Sequence, residues 1–260
     1  MVRSSFLRSV GRIAGLWRYP VKSMAAESLQ AVDVGWFGVA GDRRWAFVRP
    51  DVPQSGFPWF TLREQVALRL YQPRYADPDL PEKSRTVVRT PSGLELDVTD
   101  PALRAELNCR GLQVLRQDRG VFDTFPLSLI TTKTVGSLAA AVGVPLDVQR
   151  FRPNLLVETA AGTGFPEDDW VGCILRVGSL RMRVDKRDGR CAVITIDPQT
   201  GQRSPEILRA VARDRGGCLG VYGTPVEPGR VTLGDEVLIE SDIGDAAGGS
   251  RPATSNSQEG

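Results

Sequence analysis

Phe151-Arg152-Pro153-Asn154-Leu155-Leu156-Val157 opens the segment on which the fold turns, residues 150–201. The polar cluster Pro166-Glu167-Asp168-Asp169-Trp170 follows, then two runs of strand character over 174–177 and 180–184. Lys186-Arg187-Asp188-Gly189-Arg190-Cys191 comes next, and a third strand-like run over 192–196 stops at Asp197-Pro198. The order strand, charged turn, cysteine, strand predicts a thiol at the mouth of a β structure. Lys186, Arg187 and Arg190 then stand close enough in sequence to hold that thiol as thiolate.

Upstream, residues 13–19 read as a first strand after a basic lead-in, and the strand ends at Pro20-Val21-Lys22-Ser23. Proline removes a ladder donor, so Lys22 and Ser23 are expected where the chain leaves the sheet. Strands over 31–34 and 44–48 follow, the second headed by Asp42-Arg43-Arg44. Each cationic strand end is either a solvated turn or part of an anion site. Residues 51–58 read as a surface loop, 68–71 as strand, and 72–84 as a proline-punctuated polar loop. Thr90-Pro91-Ser92-Gly93 between two apolar runs predicts a hairpin, Asp100-Pro101 a short helix over 102–108, and 113–116 one more strand. Thr131-Thr132 should cap a small-residue helix over 135–142, whose unpaired N–H groups also suit an anion. Ser204-Pro205 starts a further helix that Gly216-Gly217 stops, and final strands fall over 220–223 and 231–240. Beyond Asp242 little can be buried, so residues 242–260 are expected to be a disordered tail.

The composition excludes more than it assigns. With no histidine among 260 residues, Ser-His-Asp and Cys-His nucleophilic sites and every His-containing metal site are ruled out. Thirty-three basic against 31 acidic residues leave a net charge of +2, no global field for nucleic acid, so any anion site is local. Cys109, Cys173, Cys191 and Cys218 show no Cys-x-x-Cys spacing, and a reducing cytoplasmic location is expected. No apolar run reaches the roughly 20 residues a spanning helix needs, so no membrane insertion is expected.

Five motifs stand in order: Tyr19-Pro20-Val21-Lys22-Ser23, Gly41-Asp42-Arg43-Arg44-Trp45, Phe151-Arg152-Pro153-Asn154, Glu167-Asp168-Asp169-Trp170, and Gly189-Arg190-Cys191 followed by Asp197-Pro198-Gln199-Thr200-Gly201. Together they resemble the MOSC family, named for the C-terminal domain of molybdenum-cofactor sulfurases. The form is the two-domain one with an N-terminal MOSC β-barrel, similar to the mitochondrial amidoxime-reducing component and its bacterial relatives. The resemblance implies a mainly β fold with short helices (α+β), built as two β-barrel-like lobes with a cofactor cleft between them. The expected divisions are a lead-in over 1–12, an N-terminal MOSC-type β-barrel domain over 13–120, a MOSC domain over 121–241 and the tail.

The resemblance also implies a molybdenum–molybdopterin cofactor (Moco) with Cys191 as metal ligand. It places Lys22, Ser23 and Arg43 on the cofactor phosphate and Arg152 and Asn154 toward the pterin. Arg190 stands beside the ligand, and Thr131 and Thr132 fall where a loop approaches. Asp188 is read two ways, as an acid for proton delivery or as a turn cap. The implied activity is reduction of N-hydroxylated or related N-oxygenated compounds by oxygen-atom removal. The implied partners are a small-molecule substrate and a separate electron-transfer protein of iron–sulfur, flavin or haem type, since no cysteine follows Cys218. The family's descriptive vocabulary includes pyridoxal phosphate binding as well. Two alternatives use the same residues, a sulfur carrier with a persulfide on Cys191 and a protein that stores or delivers the cofactor without turnover.

Overall fold

Strand Ser5–Arg18 runs the length of one lobe and closes it. In the computed structural model, which describes residues 5–50, 58–159 and 164–242, this strand pairs along residues 5–12 with Glu236–Asp242 and along residues 12–16 with Leu155–Glu158. Register shifts between Ser9 and Gly11 and between Ile13 and Gly15 mark bulges that let one strand bend between two neighbours. From Glu236–Asp242 the pairing continues through Ile174–Val177, Leu180–Gly189, Cys218–Glu227 and Leu127–Thr131 back to Leu155–Glu158. The result is a closed barrel of seven strands. Only Leu127–Thr131 and Leu155–Glu158 are parallel to each other. A parallel pair needs a crossover, and helix Thr132–Val142 supplies it. Leu16, Leu155, Val157, Leu175, Val184 and Val221 fill the barrel interior.

The second lobe consists of small sheets around a core of its own. Gln72–Tyr75, Thr86–Arg89 and Glu95–Asp97 form one sheet, and Trp45–Val48 pairs with Gln113–Arg116 in another. Phe47, Leu68, Val88, Val98, Leu103 and Leu107 pack between them. The expected hairpin is present, with Val88 opposite Leu96. Helix Pro101–Glu106 starts where Asp100 accepts from the Ala102 N–H at 2.8 Å. The fold is mainly β with few short helices, three α-helices among the described residues.

Several boundaries differ from the sequence reading, each because tertiary pairing outweighs local pattern. The basic lead-in is strand from Ser5, since Glu236–Asp242 offers it a partner that no local signal shows. Strand pairing also crosses the expected division near residue 120. Ser5–Arg18 completes the barrel, and Ala31–Gly35 pairs with Gly229–Thr232. Residues 66–70 form a 3₁₀ turn, and the strand falls on Gln72–Tyr75, which holds Pro73 at a sheet edge where a missing N–H costs no ladder bond. Lys186 to Gly189 continue the Leu180–Gly189 strand and make no turn. After Cys191 the chain forms a 3₁₀ turn, Ala192–Thr195, rather than a strand. Of the loop expected over 51–58, residues 51–57 lie outside the described residues. So does the expected tail, except that Asp242 ends the last strand.

One buried cation ties the lobes together. Arg18 is 1% exposed and meets Glu27 at 2.9 Å, donates to the carbonyls of Ala40 and Pro78, and lies 4.7 Å over the Tyr75 ring. Removing one partner of a buried pair leaves a desolvated charge, so Glu27→Ala is expected to cost about 3 kcal/mol. Urea unfolding checks this, and a loss under about 1 kcal/mol would show that the carbonyls and Tyr75 suffice.

Candidate functional site

Between the lobes lies a cleft of about 420 Å³. Lys22, Ser23 and Arg43 line it from one side, and Arg152, Asn154, Asp188, Arg190 and Cys191 from the other. Eight of the ten candidate residues therefore share one cavity. Six basic side chains, those named together with Arg63 and Arg150, face it against two acidic ones, Asp123 and Asp188. This is a local excess of positive charge in a chain whose net charge is only +2.

Strained backbone concentrates here. Among the described residues four non-glycines have positive φ, and three of them, Ser23 at 69°, Arg43 at 50° and Arg152 at 51°, line the cleft. Such a conformation costs of order 1–3 kcal/mol per residue and persists where surrounding bonds enforce it. Arg43 is held by Asp42 and by the Arg152 carbonyl at 3.2 Å, and Arg152 donates to the Met24 carbonyl at 2.8 Å. Both guanidinium groups stack on the Tyr19 ring, at 4.6 and 4.2 Å. The Arg152 Nη2 is buried with no hydrogen-bond acceptor. Desolvation pushes Arg152 down to about 10, with the positive charge of Arg43 adding to the effect. It therefore remains charged near neutrality. Lys22 donates to the Val121 carbonyl at 3.0 Å and pairs with Asp123. Asn154 is committed to the framework, donating to the Trp17 carbonyl and to Asp42 and accepting from the Ser128 N–H.

The cation at the sulfur comes from elsewhere in the sequence. Arg63 Nη2 donates to Cys191 Sγ at 3.4 Å, and this contact is the main reason the Arg63 pKa is raised. Of the expected neighbours, Lys186 sits 5.3 Å over the Phe125 ring, and Arg187 meets Asp168 at 3.3 Å. Arg190 donates to the carbonyls of Leu219 and Phe151. An exposed arginine 128 residues away leaves no trace in a linear pattern.

Asp188 is a strand residue, 2% exposed, so the turn-cap reading falls. Its carboxyl meets Arg190 Nη2 at 3.0 Å. Burial pushes its pKa up, although Arg190 and a hydrogen bond from Tyr222 oppose the shift. Desolvation beside this carboxylate also pushes the Tyr222 hydroxyl far above its usual range.

Thr131 and Thr132 do not line the cleft. Thr131 caps helix Thr132–Val142 as expected, accepting from the Thr134 N–H at 3.1 Å. The anion at that helix end is internal. Glu167, fully buried, accepts from the Thr131 N–H and from both threonine hydroxyls, at 2.9 and 2.6 Å. An internal carboxylate thus already occupies the positive end of the helix dipole.

Two family models match the chain, the MOSC N-terminal beta barrel domain over residues 10–123 and the MOSC domain over residues 116–238. The chain belongs to the MOSC-domain family. The molybdenum cofactor sulfurase of Drosophila grimshawi is 29% identical over 245 residues, covering 78% of this chain and 31% of that protein. The corresponding protein of Drosophila mojavensis is 27% identical over 253 residues, covering 81% and 31%. The chain spans about a third of the length of these relatives. The YUAD protein from Bacillus subtilis aligns over 92% of this chain and 99% of its own at a TM-score of 0.51 and 17% identity, a shared fold.

Asp123 at the rim of the MOSC cleft gives a pH test. Burial raises its pKa, but Lys22, then Arg43 and Arg63, outweigh burial and hold it below the usual carboxylate value. A depressed folded pKa stabilises above the unfolded value of about 3.9 and is lost as pH falls through the folded one. The urea midpoint of the wild-type protein should therefore fall more steeply below about pH 4 than that of Asp123→Asn. The carboxyl is half exposed, so the difference is small. Parallel acid limbs would show that the ion pair contributes nothing.

Proposed function

We propose that the cleft binds the molybdenum-bearing phosphorylated pterin and that the protein is a molybdenum-dependent oxidoreductase acting on small N-hydroxylated or related N-oxygenated compounds. The observation that carries this is the joining of two chemistries in one cavity, an excess of guanidinium and ammonium groups at one end and an unpaired thiol at the other. The donor set fits the group. The buried Arg152 Nη2 lacks an acceptor, and a soft sulfur ligand is what molybdenum already bound by sulfur favours.

In this reading Lys22, Ser23 and Arg43 hold the phosphate, lysine as a point charge and arginine as a planar fork. Arg152 faces the pterin, with Asn154 and Arg190 shaping the wall, and Cys191 presents Sγ to the metal. The bound cofactor would supply two-electron oxygen-atom chemistry. Arg63 donates to Sγ and fixes the orientation of the thiol. Asp188, whose carboxyl burial pushes up while Arg190 opposes the shift, lines the cleft where it could pass a proton to a reacting oxygen. Electrons come from a separate carrier protein. A second reading, in which Cys191 carries a persulfide for transfer, is favoured by the name of the relatives, molybdenum cofactor sulfurase.

Metal analysis of protein made in a cofactor-competent host separates the readings. The oxidoreductase binds molybdenum and reduces an N-hydroxylated amidine with an artificial electron donor. The carrier shows sulfane sulfur on Cys191 and no metal. Cys191→Ser should change the molybdenum absorption spectrum and abolish turnover, while serine at Cys109, Cys173 or Cys218, which lie outside the cleft, leaves both intact. A wild-type spectrum and rate in Cys191→Ser would remove sulfur ligation from the account. At the other end, Lys22→Met keeps the apolar stem and deletes one charge-assisted bond worth about 1.5–3 kcal/mol, so cofactor retention should weaken about tenfold or more at limiting supply. Unchanged retention, measured as oxidised-pterin fluorescence per protein, would move the phosphate elsewhere.

A further inference from the structure

Behind the cleft lies a second cavity, of about 230 Å³, and Arg150, Arg152, Leu62 and Val193 stand in the walls of both. Its far wall brings Arg69, from the Val66–Leu70 turn. Three guanidinium groups thus converge on a small space, and among the described residues no carboxylate lines it. Asp197 reaches Arg150 alone, at 2.6 Å, while Arg69 and Arg152 have no acidic partner among the described residues. Each of the three keeps one buried nitrogen without an acceptor: Nε of Arg150, a residue 6% exposed, Nε of Arg69, and Nη2 of Arg152. Buried donors are ordinarily paired, so three orphans on the residues that line one cavity require an explanation. The Arg69 guanidinium packs against Gly201, where a Cβ would lie 2.6 Å from its Cζ.

We propose that this rear cavity is a second anion site, taking a small oxyanion with at least two charged oxygens, a carboxylate or a phosphate, and that its occupancy opposes anion binding in the front cleft. Guanidinium forks match such oxygens two at a time. The volume suits inorganic phosphate or a succinate-sized dicarboxylate and is too small for a nucleotide. Opposition follows from the shared wall. An anion on one side of Arg150 and Arg152 spends their charge and hydrogen-bond donors, leaving less for an anion on the other side, and such coupling is reciprocal. The inference rests on the lining of the rear cavity and stands whether or not Cys191 binds metal.

Calorimetric titration of the purified protein with inorganic phosphate and, separately, with succinate provides the test, on wild type, Lys22→Met, Arg69→Gln and Arg69→Lys. Lys22→Met should lose front-cleft phosphate binding and keep the rear site. Arg69→Gln should weaken rear binding about tenfold with an unchanged melting temperature, and Arg69→Lys should recover part of the loss. Whichever anion binds the rear site more tightly identifies the ligand class. Saturating succinate should then weaken phosphate binding in the front cleft severalfold. Binding of both anions to Arg69→Gln as to wild type, or loss of all anion binding in Lys22→Met, would overturn the second site. Tighter phosphate binding in the presence of succinate would overturn the coupling.

Discussion

Asp42, a carboxylate with no solvent exposure, accepts the Tyr19 N–H at 2.7 Å, the Asn154 amide at 3.1 Å and the Arg43 guanidinium. Those three partners come from the end of the first strand, from the barrel, and from the turn that carries the cleft's cations. A buried carboxylate is tolerated only when paired and bonded at both oxygens, so each partner is held in the position that satisfies it. Arg43 is thereby fixed at a positive φ with its second nitrogen on the Arg152 carbonyl, and Arg152 in turn reaches the Met24 carbonyl. The relative placement of the lobes and the direction of the two stacked arginines are one problem with one solution.

Cations next to each other repel, and the cleft gathers six of them. Four are offset: Arg43 by Asp42, Lys22 by Asp123, Arg150 by Asp197 and Arg190 by Asp188. Arg63 turns to sulfur, and Arg152 meets only a carbonyl and an aromatic face. The offsets limit repulsion within the cleft, and six cations against two carboxylates still leave it a local excess of positive charge. The helix end at Thr131 shows the opposite case. There Glu167, a carboxylate of the chain itself, sits at the helix N-terminus and accepts from the Thr131 N–H and the hydroxyls of Thr131 and Thr134. An anion-binding pattern in a sequence says that a negative charge is wanted, and only the fold says whether the chain supplies it.

That distinction explains what was legible in the sequence. Caps and turns are local, so Thr131, Asp100 and the 90–93 hairpin read correctly from their own neighbourhoods. Lys22, Ser23, Arg43, Arg152 and Cys191 could be grouped because their motifs come in a recognisable order, and the cleft does bring them together. Arg63 and Arg69 could not be grouped. Each meets its neighbour across more than 100 residues, one at Cys191 and the other at Gly201, and neither lies in a stretch with a chemical pattern of its own. The early start of strand Ser5–Arg18 was hidden for the same reason, since its pairing partner is Glu236–Asp242 at the other end of the chain. Asp188 looked like a turn residue because Gly189 follows it, but the ladder with Cys218–Glu227 carries the strand through that glycine.

The two ends of the cleft differ in stiffness, and the difference bears on how it would work. At the cationic end Lys22, Arg43 and Arg152 are each bound to a backbone carbonyl, and three residues sit in backbone conformations that only a rigid surround maintains. At the sulfur end Cys191 begins a 3₁₀ turn, is half exposed, and meets one exposed guanidinium from the opposite lobe. A ligand anchored by its anionic group at the rigid end has its far end placed by the protein without strain at the thiol. Arg63 reaches sulfur from the opposite lobe at 3.4 Å, while the Asp42 network joins the lobes through several bonds. In the proposed reading a substrate enters at this adaptable end, where a contact can be exchanged without disturbing the anchor.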